Sequence, residues 1–242
     1  EWIDVRSFGQ VFAFKDDAVS VGVRGPVSIQ QAVSVSPVDV ISMQITKSVN
    51  SESGKDEVFE NILRPGADEH FSDLGAYNGD TIRELLHYTD GRFGSVTALE
   101  PDRRSFRKLN EWASANIEGD VTLVQAGAWD RDEIRCFSDQ AGRQSHVANK
   151  GRETQMRALD SVLNGRPCTY LKMDVEGAER EAIAGARQTI ERERPKLNIA
   201  AYHRSEDFFE LPLLIHSLCA DYALYLRHHP YVPAWDTNLY AR

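Results

Sequence analysis

Asp73-Leu74-Gly75-Ala76-Tyr77-Asn78-Gly79-Asp80-Thr81 decides how this chain folds. The apolar run Phe71 to Leu74 has the length of a buried strand, and Ile82, Leu85 and Leu86 fall at helical spacing. The stretch therefore predicts a strand, a glycine turn and a helix. Gly75 and Gly79 allow backbone angles and a closeness of approach that a side chain would block. Thr81 with Glu84 three residues on matches a capping box, so the free amides of the helix start face whatever fills the turn.

Working outward, the same alternation recurs. Val96 to Leu99 precedes a helix around Phe106, Leu109 and Trp112, and Val121 to Ala126 follows. Tyr170 to Val175 leads to a helical face of Ala178, Ala182, Ile183, Ala186 and Ile190, and Leu197 to Tyr202 to another through Phe208, Leu211, Leu214 and Leu218. Such alternation predicts an α/β fold with a mostly parallel sheet covered by helices on both faces. Between Ala126 and Arg157 the chain reads as polar and irregular. Tyr222 to Leu226 and Asn238 to Ala241 read as two strands in succession, an antiparallel hairpin at one edge.

Upstream, valines alternate with serines at Val19-Ser20-Val21 and Val33-Ser34-Val35-Ser36, a period that suits short strands or a polar leader. Ser51 to Gly54 reads as a joint, and Val58, Phe59, Ile62 and Leu63 as a helix stopped by Arg64-Pro65-Gly66. Residues 1–65 are thus expected to be an N-terminal extension and 66–242 the main domain.

Composition narrows the function. The 242 residues carry 28 Lys and Arg against 37 Asp and Glu, a formal charge of −9 that argues against nucleic acid as the partner. Three widely spaced cysteines, with no Cys-x-x-Cys pair, make disulfides and zinc poor expectations. No apolar run reaches the roughly 20 residues of a membrane span, and the N-terminus lacks a signal pattern, so the expected compartment is the cytoplasm. A chain that opens on Glu1 rather than Met reads as a piece of something longer.

In a doubly wound sheet, ligands bind at the carboxyl ends of the strands. A dinucleotide site wants Gly-x-Gly-x-x-Gly, whereas here an acid leads two glycines spaced by three residues. Asp73 suits an ammonium group, and Glu100, 25 positions after Gly75, suits two ribose hydroxyls. Together they describe a nucleoside carrying an amino acid, S-adenosylmethionine. A plain tight turn beside a solvated acid fits the same residues.

Asp73 to Thr81, Leu99-Glu100-Pro101, Gln125-Ala126-Gly127-Ala128-Trp129, Tyr170-Leu171-Lys172-Met173-Asp174-Val175-Glu176-Gly177-Ala178-Glu179 and Ala201-Tyr202-His203 resemble, in that order, the FkbM family of S-adenosylmethionine-dependent methyltransferases. The resemblance runs from about Gly66 onward. It implies the class I, Rossmann-like methyltransferase fold, a seven-stranded sheet with its last strand antiparallel. It also implies methyl transfer to a hydroxyl of a saccharide, glycan or related natural product.

Carried over, Asp73, Gly75 and Gly79 line the methionine part of the cofactor, with Asn78, Asp80 and Thr81 in the same turn. Tyr77 sits near the sulfonium, where a ring face attracts a cation by about 0.5–1 kcal/mol. Glu100 holds the ribose. Pro101, Asp102, Gly127 and Ala128 border the adenine, while Trp129 is read as core.

Asp174 faces the methyl group, Glu176 orients the turn or the substrate, and His203 is a candidate base that suits a structural hydrogen-bonded role equally well. Glu179 reads as a first-turn acid favoured by the helix dipole, and Lys172 as the partner of a carboxylate. Arg227, Arg143 and His146 are family-pattern candidates for the acceptor site. Neighbouring His228 and His229 point to opposite faces of a strand and cannot share a metal. No metal ligand set is assigned. The expected partner is a small-molecule or glycan hydroxyl acceptor, with a homo-oligomer allowed. The rival reading is a cofactor-binding module without transfer activity inside a larger glycan-assembly protein.

Overall fold

The structure is a computed structural model and describes residues 9–13, 20–24, 54–137, 152–229 and 236–242. The chain divides into two compact units, Glu1–Val49 and Asn50–Arg242. In the first, β1 (Gly9–Ala13) and β2 (Ser20–Arg24) pair antiparallel, with Gly9 opposite Arg24. The alternating segment Val33 to Ser36 lies outside the described residues.

The second unit begins with α1 (Gly54–Glu57), which continues as a π-helical turn, Val58–Leu63. Val58, Phe59, Ile62 and Leu63 are buried in one cluster with Phe71, Ile82 and Leu85. The helix expected in the extension packs into the core of the second unit, which begins at Asn50. Arg64 takes a left-handed backbone at φ 43°, which ends the helix where Arg64-Pro65-Gly66 predicts.

Then come β3 (His70–Leu74), α2 (Asp80–Tyr88), β4 (Ser95–Leu99), α3 (Arg103–Asn116), β5 (Val121–Val124), β6 (Gly127–Ala128), β7 (Glu133–Phe137), β8 (Arg152–Arg157) and α4 (Leu159–Leu163). The remainder is β9 (Tyr170–Met173), α5 (Glu179–Gly185), α6 (Arg187–Glu193), β10 (Lys196–Ala200), α7 (Asp207–Leu218), β11 (Leu224–His228) and β12 (Thr237–Ala241). Seven strands form one sheet in the order β11-β12-β10-β9-β3-β4-β5. All neighbours are parallel except those of β12, which runs antiparallel to both β10 and β11. This is the expected class I sheet, with the final strand inserted rather than added at the rim.

Alternate residues of the central strands feed two separate cores. Phe71, Val96 and Tyr170 belong to one face, and Leu74, Leu99, Leu171 and Met173 to the other. The chain leaves β3 for β4 on one side and β9 lies on the other, so the ends of β3 and β9 form the switch point where a crevice opens.

The stretch read as irregular holds a second sheet, β6-β8-β7. Its two longer strands escape a hydrophobicity pattern because charged residues crowd them and are satisfied locally. Arg135 lies over the Trp129 ring at 4.3 Å and Arg157 pairs with Asp132 at 2.9 Å.

Candidate active site

Two turns meet at the switch point. Gly75 and Gly79 have φ of 80° and 85°, and Tyr77 between them sits at 47°, so the turn is wound left-handed in three places. A Cβ on Gly75 would lie 1.9 Å from the carbonyl oxygen of Asp174. Only glycine lets the β3 turn approach the β9 turn this closely, which sets the two strand ends side by side.

Asp73 is wholly buried. Its Oδ1 lies 3.1 Å from Lys172 Nζ, which also donates to Gly75 O at 2.8 Å, and its Oδ2 accepts from the Thr81 hydroxyl. Burial pulls the Lys172 ammonium down, but Asp73, Asp174 and Asp80 outweigh it and leave it above its ordinary value. One expectation is corrected: Thr81 serves the Asp73 carboxylate rather than a capping box, and Gly79 stands at the N-cap instead. Asp73 is engaged from within the chain. Asp80 Oδ1 accepts from Thr81 N at 3.1 Å, and Asn78 Oδ1 from Arg83 Nη1 at 3.4 Å.

Glu100 occupies the end of β4 and is 7% exposed. Its Oε2 accepts from Tyr77 N at 2.7 Å and its Oε1 from Asp102 N at 2.8 Å. Burial pushes its carboxyl up to about 7, against the pull of those two amides. Tyr77 contributes here through its backbone. The Asp102 side chain caps α3, its Oδ1 accepting from Arg104 N and Ser105 N at 2.9 Å. Pro101 and Gly127 are neighbours, a Cβ on Gly127 lying 3.8 Å from Pro101. Gly127, Ala128 and Trp129 are all buried.

A second constellation closes the ends of β9 and β10. His203 Nδ1 and Glu179 Oε1 are 2.8 Å apart, while His203 Nε2 lies 3.5 Å from both Asp174 Oδ1 and Glu176 Oε2. An ionised carboxylate only accepts, so Nδ1 is the donor to Glu179. Burial disfavours the imidazolium, but Glu179, then Asp174 and Glu176, hold His203 above its ordinary value. The Tyr202 hydroxyl donates to Asp174 Oδ2 at 3.1 Å. Asp174, Glu176 and His203 each present a ligand atom within 4.8 Å of the others, a grouping that a metal ion fits.

Sequence reasoning missed the role of Glu179. It is 1% exposed, and its Oε1 also accepts from Val175 N at 3.1 Å and Gly177 N at 3.4 Å. Its burial beneath His203, a residue of the next strand end, is invisible in local sequence. Arg227 pairs with Glu57 at 3.3 Å, and Arg143 and His146 lie outside the described residues.

The model of the methyltransferase FkbM domain matches residues 73–233, two thirds of the chain. The chain belongs to the FkbM methyltransferase family. Methyltransferase FkbM from Methylobacillus flagellatus KT, known from a crystal structure, is 31% identical with a TM-score of 0.62. The match covers 75% of this chain and 45% of that one, so this chain spans less than half of the relative's length. An rRNA-methylase structure from Clostridium thermocellum, described as putative, is 10% identical with a TM-score of 0.49, covering 81% of this chain and 96% of its own. Aeropyrum pernix fibrillarin in complex with S-adenosyl-L-methionine is 13% identical with a TM-score of 0.48, covering 78% and 73%. A model of the CRISPR-associated protein Cas7 matches residues 1–82, a third of the chain. A search of curated proteins found no significant match.

S-adenosylmethionine is the cofactor of this FkbM domain. The residues at the switch point fit it. Each Glu100 oxygen receives one backbone amide and keeps a lone pair for a ribose hydroxyl, and Asp174 Oδ1 is a buried acceptor that receives no hydrogen bond. Among the described residues no helix is long and apolar enough to cross a membrane.

Proposed function

We propose that this domain methylates a hydroxyl group of a saccharide, glycan or related natural product. The observation that carries the reading is the convergence of His203 Nε2 with Asp174 and Glu176 directly beside the Gly75 turn. When bound, S-adenosylmethionine supplies a methyl group whose C–S bond breaks onto sulfur as the new O–C bond forms. The chain must therefore hold the acceptor oxygen in line and remove one proton.

Glu100 holds the ribose through its two oxygens, with Tyr77 N and Asp102 N fixing the carboxylate plane. Pro101, Gly127 and Ala128 form the neighbouring wall. Asp73 and Lys172 lie behind the turn and keep Gly75 in place. Asp174 and Glu176, each about a third exposed at the side chain, offer acceptors to the hydroxyls of a polyol. His203, oriented by Glu179, takes the proton. Alignment of this kind supplies roughly 7–11 kcal/mol of a barrier and a positioned base roughly 10²–10⁴-fold.

The test is calorimetry with S-adenosylhomocysteine followed by mass analysis of a glycan and polyol panel incubated with S-adenosylmethionine. Cofactor binding that weakens in Glu100→Ala, with products one methyl heavier, is the expected result. Binding without any methylated product would favour the non-catalytic module, and absence of binding by the folded chain would sink both readings.

A further inference from the structure

We propose that Asp174, Glu176 and His203 form a binding site for a first-row divalent cation, which the acceptor hydroxyl joins as a further ligand. The inference rests on reading this cluster as the acceptor site. Bonds of about 2.1 Å at octahedral or tetrahedral angles place neighbouring ligand atoms roughly 3.0–3.4 Å apart. The separations of His203 Nε2 from Asp174 Oδ1 and from Glu176 Oε2 are both 3.5 Å.

Two features set the group apart from an ordinary acidic cluster. Glu179, 1% exposed, receives the Nδ1 proton of His203 and so turns the Nε2 lone pair toward both carboxylates. A buried carboxylate on the far nitrogen is what orients and strengthens metal-binding histidines. Asp174, in turn, has one oxygen secured by the Tyr202 hydroxyl, while the other, Oδ1, is buried, receives no hydrogen bond and is the atom that faces Nε2. When Nε2 carries no proton, the three acceptor atoms repel one another, and a cation between them relieves that repulsion in the proton's place.

The donor set of two oxygens and one imidazole nitrogen suits Mn²⁺ and its neighbours better than Ca²⁺, which prefers oxygen alone. With three protein ligands, the cation keeps positions for the acceptor. A coordinated hydroxyl is more acidic, so its proton leaves to bulk water as its oxygen becomes the nucleophile. In that arrangement Nε2 is a ligand and not the base, which separates this inference from direct proton transfer to His203.

The experiment strips the full chain with a chelator and titrates it with Mn²⁺ alone, followed by electron paramagnetic resonance and calorimetry, with S-adenosylhomocysteine binding measured in parallel. One bound Mn²⁺ per chain is expected. Its affinity should fall at least tenfold in Asp174→Asn and Glu176→Gln, and roughly 10–100-fold in Glu179→Gln, with S-adenosylhomocysteine still bound by Glu176→Gln. Retained S-adenosylhomocysteine binding in that variant shows that it is folded. Mn²⁺ binding that is absent, or equal in wild type and Glu176→Gln, would overturn the proposal. So would methyl transfer undiminished by chelation, an outcome that leaves the hydroxyl methyltransferase reading intact. Failure of that reading shows up separately, as lost S-adenosylhomocysteine binding or missing product in a chain that still takes up Mn²⁺.

Discussion

Two acidic groups stand on adjacent strands of this sheet and are completed in opposite ways. Asp73 on β3 is sealed: its Oδ1, also buried without a hydrogen bond, lies 3.1 Å from the Lys172 ammonium, and its Oδ2 accepts from the Thr81 hydroxyl. Asp174 at the end of β9 keeps one buried oxygen without a hydrogen bond and faces a histidine and a second carboxylate. The difference teaches that an acid at a strand end is not by itself a ligand site. What distinguishes a structural carboxylate from a chemical one is whether the protein has already spent its donors on it.

The harshest way to break the comparison is Gly75→Ala, which pushes a methyl group into the carbonyl of Asp174 and disturbs both acids at once. Left-handed backbone and overpacking together predict a loss of about 2–6 kcal/mol and no measurable S-adenosylhomocysteine affinity. Denaturant titration and calorimetry check both. Lys172→Met attacks the sealed side alone. Removing one member of a buried pair costs about 3–5 kcal/mol, and Asp73→Asn in the same chain should restore most of it; additive losses in the double variant would show that the two residues are not a pair.

On the open side the expectation inverts. His203→Gln, whose side-chain amide can still donate to Glu179, should cost less stability than Lys172→Met, while product formation falls roughly 10²–10⁴-fold. A large drop in stability with little change in rate would make His203 structural.

Glu100 lies between the extremes, buried with two amide donors and no cation. With its folded-state carboxyl at about 7 against an ordinary 4.5, it favours folding most below the ordinary value, and that contribution fades as pH rises through about 7. Ribose hydroxyls favour the ionised form, so S-adenosylhomocysteine affinity should rise with pH over the same window. Glu100→Gln should flatten both profiles, and an unchanged slope would place the titration elsewhere.

Much of this was legible because the decisive information is local. The runs ending at Leu74, Leu99 and Met173, with Gly75 and Gly79 placed between strand and helix, fix a class I sheet and direct attention to Glu100 and Asp174. The misreadings are all non-local. Nothing near Thr81 says that its hydroxyl will choose Asp73 over a helix amide. The burial of Glu179 depends on His203, which arrives a strand later. The β6-β8-β7 sheet is hidden because its apolar face is small, Met156 against Trp129, while Arg135 and Arg157 are compensated by Trp129 and Asp132.

The antiparallel insertion of β12 bears on how the molecule is assembled over time. β10 and β11 run parallel to each other with a gap one strand wide, roughly 9–10 Å, which only residues 237–241 fill. While the chain is being synthesised, everything up to His228 emerges before that strand exists, leaving two facing edges of unpaired backbone groups. Such a slot accepts any extended segment of matching length. Ala241, wholly buried in the finished sheet, makes the closing strand a late keystone. Chaperone dependence, and exchange of this strand between copies during refolding at high concentration, are the behaviours that this order of events favours.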